Sequence, residues 1–297
     1  MTEAFSMKDV RKSYGDFQLN LKDLSLERGY VMGLVGRNGA GKSTTIKILM
    51  NLVYPDRGEV RVLGLRQPEQ EMEIKRRVGY VSEEPVFYDE MTVDWMARLV
   101  RRYYPAWDDE LFQAYLRKFA LDPAKKVKEL SRGMKVKLAL MLALSHRPEL
   151  LILDEPTSGI DPVVRHELLE EIGDIIKDEG RTVLLSSHIT QDVERVADYV
   201  AIVEGGEVVE FADKESILDR WKRVSGTVPA DGSVAGDGIA SMFRQFKKEG
   251  SAFAGVTRSF CRDWLDALKA KGVSDLKVAN VGLDEILVLL SGKESQA

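Results

Sequence analysis

Apolar residues run almost unbroken at four places in the chain: YVMGLV (30–35), ELLILD (149–154), RTVLLSS (181–187) and YVAIV (199–203). A strand with one wet face alternates apolar and polar residues, whereas a nearly continuous apolar run is expected of a strand covered on both faces. Helical spacing takes over between these runs, at 164–178 and 190–197. Strands alternating with helices predict an α/β core with a mainly parallel sheet. Two earlier segments, MKDVRKSY (7–14) and FQLNLKDLSLE (17–27), alternate instead, and GEVRVLG (58–64) follows a PDRG turn. These predict half-buried strands near the N-terminus.

From about 92 to 145 the spacing is helical, with Leu111, Phe112, Tyr115, Leu116 and Phe119 on one stripe. A helix burying its apolar face accounts for that stripe, and residues 86–147 are read as a helical subdomain inserted into the core. The pattern shifts again after residue 211. A Gly-, Ser- and Asp-rich stretch at 223–240 reads as turns around a short strand. A helix near 241–248, a strand near 252–257, a helix at 260–271, a strand at 275–281 and a helix at 283–291 are predicted to follow. The expected organisation is a core domain over 1–211 and a small α+β domain over 212–297.

Composition narrows the function classes. A length of 297 residues suits two domains, and a net charge of −5 argues against nucleic-acid binding by bulk electrostatics. Cys261 is the sole cysteine, which excludes an intrachain disulfide, a zinc ribbon and an iron–sulfur cluster, and fits a reducing cytosol. MTEAFSMKDV lacks the basic and apolar regions of a signal peptide. No apolar segment approaches the roughly 20 residues of a membrane-spanning helix; LALMLALS (138–145) is short and flanked by Lys137 and His146.

The candidate chemistry begins at GRNGAGKSTT (36–45), directly after an expected buried strand. Gly36, Gly41, Lys42 and Ser43 match the spacing G-x-x-x-x-G-K-[ST]. Glycines let backbone N–H groups turn in around phosphates, and the following helix offers its positive end. Lys42 reaches the β- and γ-phosphates in such a loop, and the Ser43 hydroxyl ligates Mg²⁺. LLILDEP (150–156) ends a buried run in two carboxylates, placing Asp154 to hold Mg²⁺ through water and Glu155 to act as general base. Standing alone, an acidic pair at a strand end can also be without any role.

LSRGMK (130–135), SGIDP (158–162) and LLSSH (184–188) accompany these two motifs. Together, over about residues 1–211, the set resembles the ATP-binding cassette family. That resemblance implies a phosphate-loop NTPase fold with ATP and Mg²⁺ as cofactors. Tyr14 stands where the family places an aromatic against adenine. Asn38, Gly39 and Thr44 belong with the phosphate loop, His188 would hold the γ-phosphate and attacking water, and Ser131 and Gly133 would touch the γ-phosphate of a partner's ATP. Asp161 would couple the two sites across a dimer.

Two departures stand out. VGYVSEEP (78–85) puts Glu83 where the family commonly has Gln; a carboxylate there can still ligate Mg²⁺. The signature carries Arg132 for a glycine and Met134 for a glutamine, while Ser131 and Gly133 are retained. Arg132 either adds charge near the γ-phosphate or points to solvent. These variants, and the ending GLDEILVLLSGK (282–293), resemble the bacterial drug- and antibiotic-exporter (ABC-2) branch.

The resemblance implies an ATPase subunit that pairs with itself or a second cassette. It would drive separate integral membrane subunits, with export as the implied direction, from a cytoplasmic position on the inner face of the membrane. No nucleic acid is expected. The alternative is a soluble cassette ATPase of DNA repair or translation. Against it, only 89 positions separate Lys42 from Ser131, without heptads, and the chain carries one set of motifs. A non-hydrolysing regulatory cassette is disfavoured by the presence of both Glu155 and His188.

Overall fold

The computed structural model describes residues 2–179, 181–228 and 236–292 and divides into two compact units, Met1–Phe211 and Ala212–Ala297. The first opens with β1 (Glu3–Tyr14), β2 (Phe17–Glu27) and β3 (Val31–Val35), followed by α1 (Lys42–Leu49). Next come β4 (Arg57–Val62), β5 (Leu65–Arg66), α2 (Glu71–Arg77) and β6 (Val78–Val81). Helices α3 (Val93–Arg101), α4 (Asp109–Lys118) and α5 (Arg132–Leu144) form the helical segment. The unit continues through β7 (Leu150–Asp154), α6 (Pro162–Glu179), β8 (Thr182–Ser187), α7 (Thr190–Val196), β9 (Tyr199–Glu204) and β10 (Glu207–Asp213).

Two sheets organise these strands. An antiparallel sheet has the order β2-β1-β4-β5, and a six-stranded sheet has the order β10-β9-β3-β8-β7-β6. The pairs from β9 through β6 are parallel. Every residue of β3, β7 and β8 is buried, which is why their sequences lack alternation. The core draws Phe5, Met7, Leu19 and Leu21 from the antiparallel sheet, Ile46 and Leu49 from α1, and Ile152 and Leu184 from the parallel sheet. Phosphate loop, α1 and both sheets therefore share one packed interior.

The helices start where side chains can accept orphan N–H groups. Thr92 caps α3 by accepting from Trp95 N at 3.1 Å, and Asp108 caps α4 by accepting from Leu111 N at 2.9 Å. The α4 stripe buries Phe112, Tyr115 and Leu116, with Phe119 just beyond, while Leu111 is only half-buried. Emptying such a site, as in Phe112→Ala, costs about 3–5 kcal/mol.

The second unit contains α8 (Lys214–Arg220), β11 (Lys222–Thr227), α9 (Gly236–Ala240), β12 (Gln245–Glu249), β13 (Ala252–Thr257), α10 (Arg262–Ala270), β14 (Ser274–Asn280) and α11 (Leu283–Ser291). Its antiparallel sheet has the order β12-β13-β11-β14. The helix predicted near 241–248 is not formed, since Gln245–Glu249 is an edge strand paired to β13. Good helix formers in MFRQFKKE suggested a helix, but tertiary packing decides. Phe243 and Phe246 join Phe253 and Trp264 in an aromatic core with ring centroids 5.1–5.7 Å apart. Part of the expected turn region at 223–240 lies outside the described residues.

Candidate ATP site

The parallel strands end on one side of their sheet, and three of those ends carry the expected motifs. β3 runs into the loop Gly36–Gly41, which opens α1. Gly41 sits at the helix N-cap with φ 118°, where a side chain would be strained. Gly36 is buried, Asn38 and Gly39 are exposed at the loop tip, and Ser43 and Thr44 are half-buried. The Lys42 ammonium turns back over the loop and donates to Gly36 O at 2.8 Å and Arg37 O at 3.3 Å.

A second tie holds this loop from outside. Gly206, in the turn between β9 and β10 with φ 82°, donates its N–H to Ala40 O at 3.0 Å and accepts from Asn20 N at 2.7 Å. A Cβ on Gly206 would stand 1.9 Å from Gln18 O, so only glycine fits this junction.

Asp154 and Glu155 follow at the end of β7, both buried. Asp154 Oδ1 accepts from Ser43 Oγ at 3.3 Å and from Ser186 Oγ at 2.6 Å. Burial holds its carboxyl above the usual range, against the two hydroxyl hydrogen bonds, and the Glu155 and Glu83 charges add to the rise. A carboxylate in this condition gains from a nearby cation.

Glu155 has φ 48°, a left-handed backbone uncommon outside glycine and one that functional sites often hold. Its Oε2 accepts from His188 Nδ1 at 2.7 Å and from His188 N at 3.2 Å. Because an ionised carboxylate only accepts, the imidazole proton lies on Nδ1 and leaves Nε2 free. Glu155 Oε1 stands 3.0 Å from Lys42 Nζ, an ion pair in which each side chain is 5% exposed. That oxygen makes no hydrogen bond, so the contact is one of charge, without aligned geometry.

Glu83 reaches this cluster indirectly. Its Oε1 accepts from Ser158 Oγ at 3.1 Å, and Ser158 N donates to Glu155 O at 3.0 Å. No set of three His, Cys, Asp or Glu side chains among the described residues forms a ready metal cage. That suits Mg²⁺, which is commonly held by one or two carboxylates together with substrate phosphates and water. The donor set of Ser43, Asp154 and Glu83 fits such an ion.

The remaining expected residues lie elsewhere. Tyr14 ends β1 at the hairpin turn, 46% exposed, with Lys12 Nζ 5.6 Å from its ring centroid. Ser131 caps α5, accepting from Met134 N at 3.3 Å. Gly133 lies against α6, where a Cβ would come 2.7 Å from Val164 Cγ1. Asp161 accepts from Val163 N and Val164 N at 3.1 and 3.2 Å, starting α6. Arg132 is exposed and lays its guanidinium over Gly159 of the same chain. The chain thus brings Lys42, Ser43, Asp154, Glu155 and His188 into one cluster, and places Ser131, Gly133 and Asp161 together where α5 meets α6.

Sequence reasoning missed two supports. Ser186 joins the Asp154 carboxylate to the Glu155 backbone, donating to Asp154 Oδ1 and accepting from Glu155 N at 3.0 Å. Asp192, 2% exposed, accepts from Thr157 Oγ1 at 2.6 Å and from Arg165 Nε at 2.9 Å, pinning the loop after Glu155 to α6 and α7. Ser186 gave one signal, a polar residue in an otherwise apolar strand, whereas Asp192, within the polar stretch TQDVER, gave none.

The chain is similar to known proteins of one family. A family model described as ABC transporter matches residues 19–158. The ABC transporter ATP-binding protein YtrB of Bacillus subtilis (strain 168) is 30% identical, covering 72% of this chain and 74% of its own length. The Nod factor export ATP-binding protein I of Bradyrhizobium diazoefficiens is 31% identical across 99% of this chain and 98% of its own. A solved structure described as an ATP binding subunit of an ABC transporter superposes with a TM-score of 0.64 at 33% identity, covering 72% of this chain and 91% of that one. The chain belongs to the ABC transporter family, as one of its ATP-binding and ATP-hydrolysing cassettes.

Proposed function

We propose that this cassette is the motor of an exporter, working as a dimer of cassettes on separate membrane-spanning subunits and using Mg²⁺. The observation that carries the catalytic part is the cluster of buried Lys42, Asp154 and Glu155 at the strand ends, with His188 at its exposed edge. Lys42 and the loop amides would bind the phosphate chain of ATP, and Tyr14 offers an exposed ring for the base. Mg²⁺, held by Ser43 and through water by Asp154, would neutralise charge on the β- and γ-phosphates. Glu155 accepts a proton from the attacking water as it adds to the γ-phosphorus and the bond to the β-phosphate oxygen breaks. His188, anchored through Nδ1, presents Nε2 to the γ-phosphate and water.

Ser131 and Gly133 are exposed or packed on their own chain's α6, which suits donors that serve the ATP of a second cassette. Asp161, at the same junction, suits a link between the two sites. The domain assignment of residues 1–211 to catalysis, and of 212–297 to an accessory role, follows the same division.

Among the described residues no helix is long and apolar enough to cross a membrane. A groove of about 500 Å³, lined by Met72, Val86, Phe87, Tyr103 and Tyr104 with His146 behind, offers an apolar seat for a partner's cytoplasmic helix. Val86, Met72 and Tyr103 are 93%, 67% and 70% exposed, far more than packing within the chain requires. The relatives' names favour transport over DNA repair or translation.

Two experiments test this. Tagged chain purified from its host's membranes should bring down an integral membrane protein of several spans; recovery with ribosomes or DNA instead overturns the transport reading. Glu155→Gln should bind ATP, hydrolyse it at least about 100-fold more slowly and elute as a dimer with ATP. Near-normal turnover by that variant removes Glu155 as the base.

A further inference from the structure

We infer that Glu155 has a second role in the reaction cycle: its carboxylate competes with the nucleotide's phosphate for Lys42, so that it sets how tightly phosphate ligands bind. This rests on the reading of the cluster as the ATP site, but not on Glu155 being the base.

Lys42 is a buried cation, 5% exposed, and its contacts other than Glu155 are the carbonyls Gly36 O and Arg37 O. Carbonyl dipoles do not balance a full charge in a desolvated place, and a buried ammonium without a counter-ion is costly. Glu155 Oε1, 3.0 Å from Nζ, provides that counter-ion. The other oxygen is fixed by the His188 backbone N–H and ring Nδ1, which aim the carboxylate toward the phosphate loop.

The contact lies where function places a phosphate. Lys42 in a loop of this type reaches the β- and γ-phosphates, so an arriving phosphate oxygen and Glu155 Oε1 compete for one ammonium. Binding exchanges one anion for the other, and only the difference between them adds to affinity. A phosphate chain brings more negative charge and more acceptor oxygens than one carboxylate, which lets it displace Glu155 from the ammonium. Once displaced, Oε1 is free to take a proton from water. The ion pair with Lys42 therefore holds the base until a phosphate displaces it.

Neutralising the side chain removes the competitor without touching the loop. The test is ADP binding by titration calorimetry, with and without Mg²⁺, because ADP has no γ-phosphate to lose and hydrolysis cannot distort the result. Glu155→Gln should bind ADP about tenfold tighter than the wild type in both conditions. Its melting temperature without ligand should fall, and the rise on adding ADP should exceed that of the wild type. His188→Ala, at a side chain 37% exposed, releases the carboxylate from its second anchor and serves if the first variant does not fold. It should tighten ADP binding about two- to threefold. Unchanged ADP affinity in the folded variants overturns the inference. An ATPase-active Glu155→Gln that still binds ADP more tightly would instead remove only the base role.

Discussion

The hydroxyl of Ser186 donates to Asp154 Oδ1 across 2.6 Å, fastening the end of β8 to the end of β7 inside the site. Ser186 Oγ also receives the Glu155 N–H, so one small side chain fixes the Asp154 carboxylate and the Glu155 backbone. Ser186→Ala removes both bonds and leaves a buried N–H with only the Ser186 carbonyl, 3.2 Å away. Unfolding free energy should fall by about 1–3 kcal/mol. Turnover should fall about tenfold, with more Mg²⁺ needed for half-maximal rate, as read from ATPase assays across Mg²⁺ concentrations.

Lys42→Ala tests the phosphate loop itself. It removes the cation that meets the phosphates and strands Glu155 in a buried position. Nucleotide affinity should fall at least about 100-fold in a fluorescence titration. Loss of one partner of a buried pair should lower stability by about 3–5 kcal/mol, recorded in parallel by urea unfolding. Tight ATP binding by the folded variant would remove the loop assignment.

Asp192 acts at a distance from any phosphate. Its carboxylate joins Thr157 to Arg165, whose Nη2 also approaches to 2.5 Å. Asp192→Asn keeps the shape but leaves the guanidinium, 22% exposed, without its charge partner. A loss of about 3 kcal/mol is expected. Turnover should fall more than ATP affinity, because the loop that carries Glu155 loosens while the phosphate loop does not.

His146 supplies a pH dependence of known sign. Burial pushes its imidazole down to about 4, opposed by the hydrogen bond to Val78 O. Tyr104 stacks on it with centroids 3.9 Å apart. Below about pH 6.5 the unfolded chain takes up a proton that the folded one refuses. The full stability is therefore present above about 6.5 and falls as pH drops toward 4, by about 3 kcal/mol from this group. His146→Gln should remove that segment of the curve when unfolding is measured from pH 7.5 to 4.

Much of this was legible in the amino-acid order because its cause is local. The unbroken apolar runs at 31–35, 150–154 and 182–187 are strands buried on both faces, and a strand so buried has no other way to be written. The loop before Lys42 reads directly because its glycines answer backbone demands at those same positions. Gln245–Glu249 could not be read, since its state depends on pairing with Ala252–Thr257 and on a Phe cluster assembled by the fold. Likewise Ser186 and Asp192 gain their roles from partners 32 and 35 positions away. The sequence left two placements open for Arg132; folded, it is exposed and rests on Gly159.

Gly206 gives the site a property of its own. By bonding Ala40 on one side and Asn20 on the other, it clamps the phosphate loop to the hairpin whose turn carries Tyr14. On the proposed reading, in which Tyr14 takes the base, the two ends of the site belong to one hydrogen-bonded frame that would set the span between aromatic plane and phosphate cradle. Such a frame works as a gauge of length. A nucleoside triphosphate would engage both ends at once, whereas inorganic triphosphate or a bare nucleoside would satisfy only one.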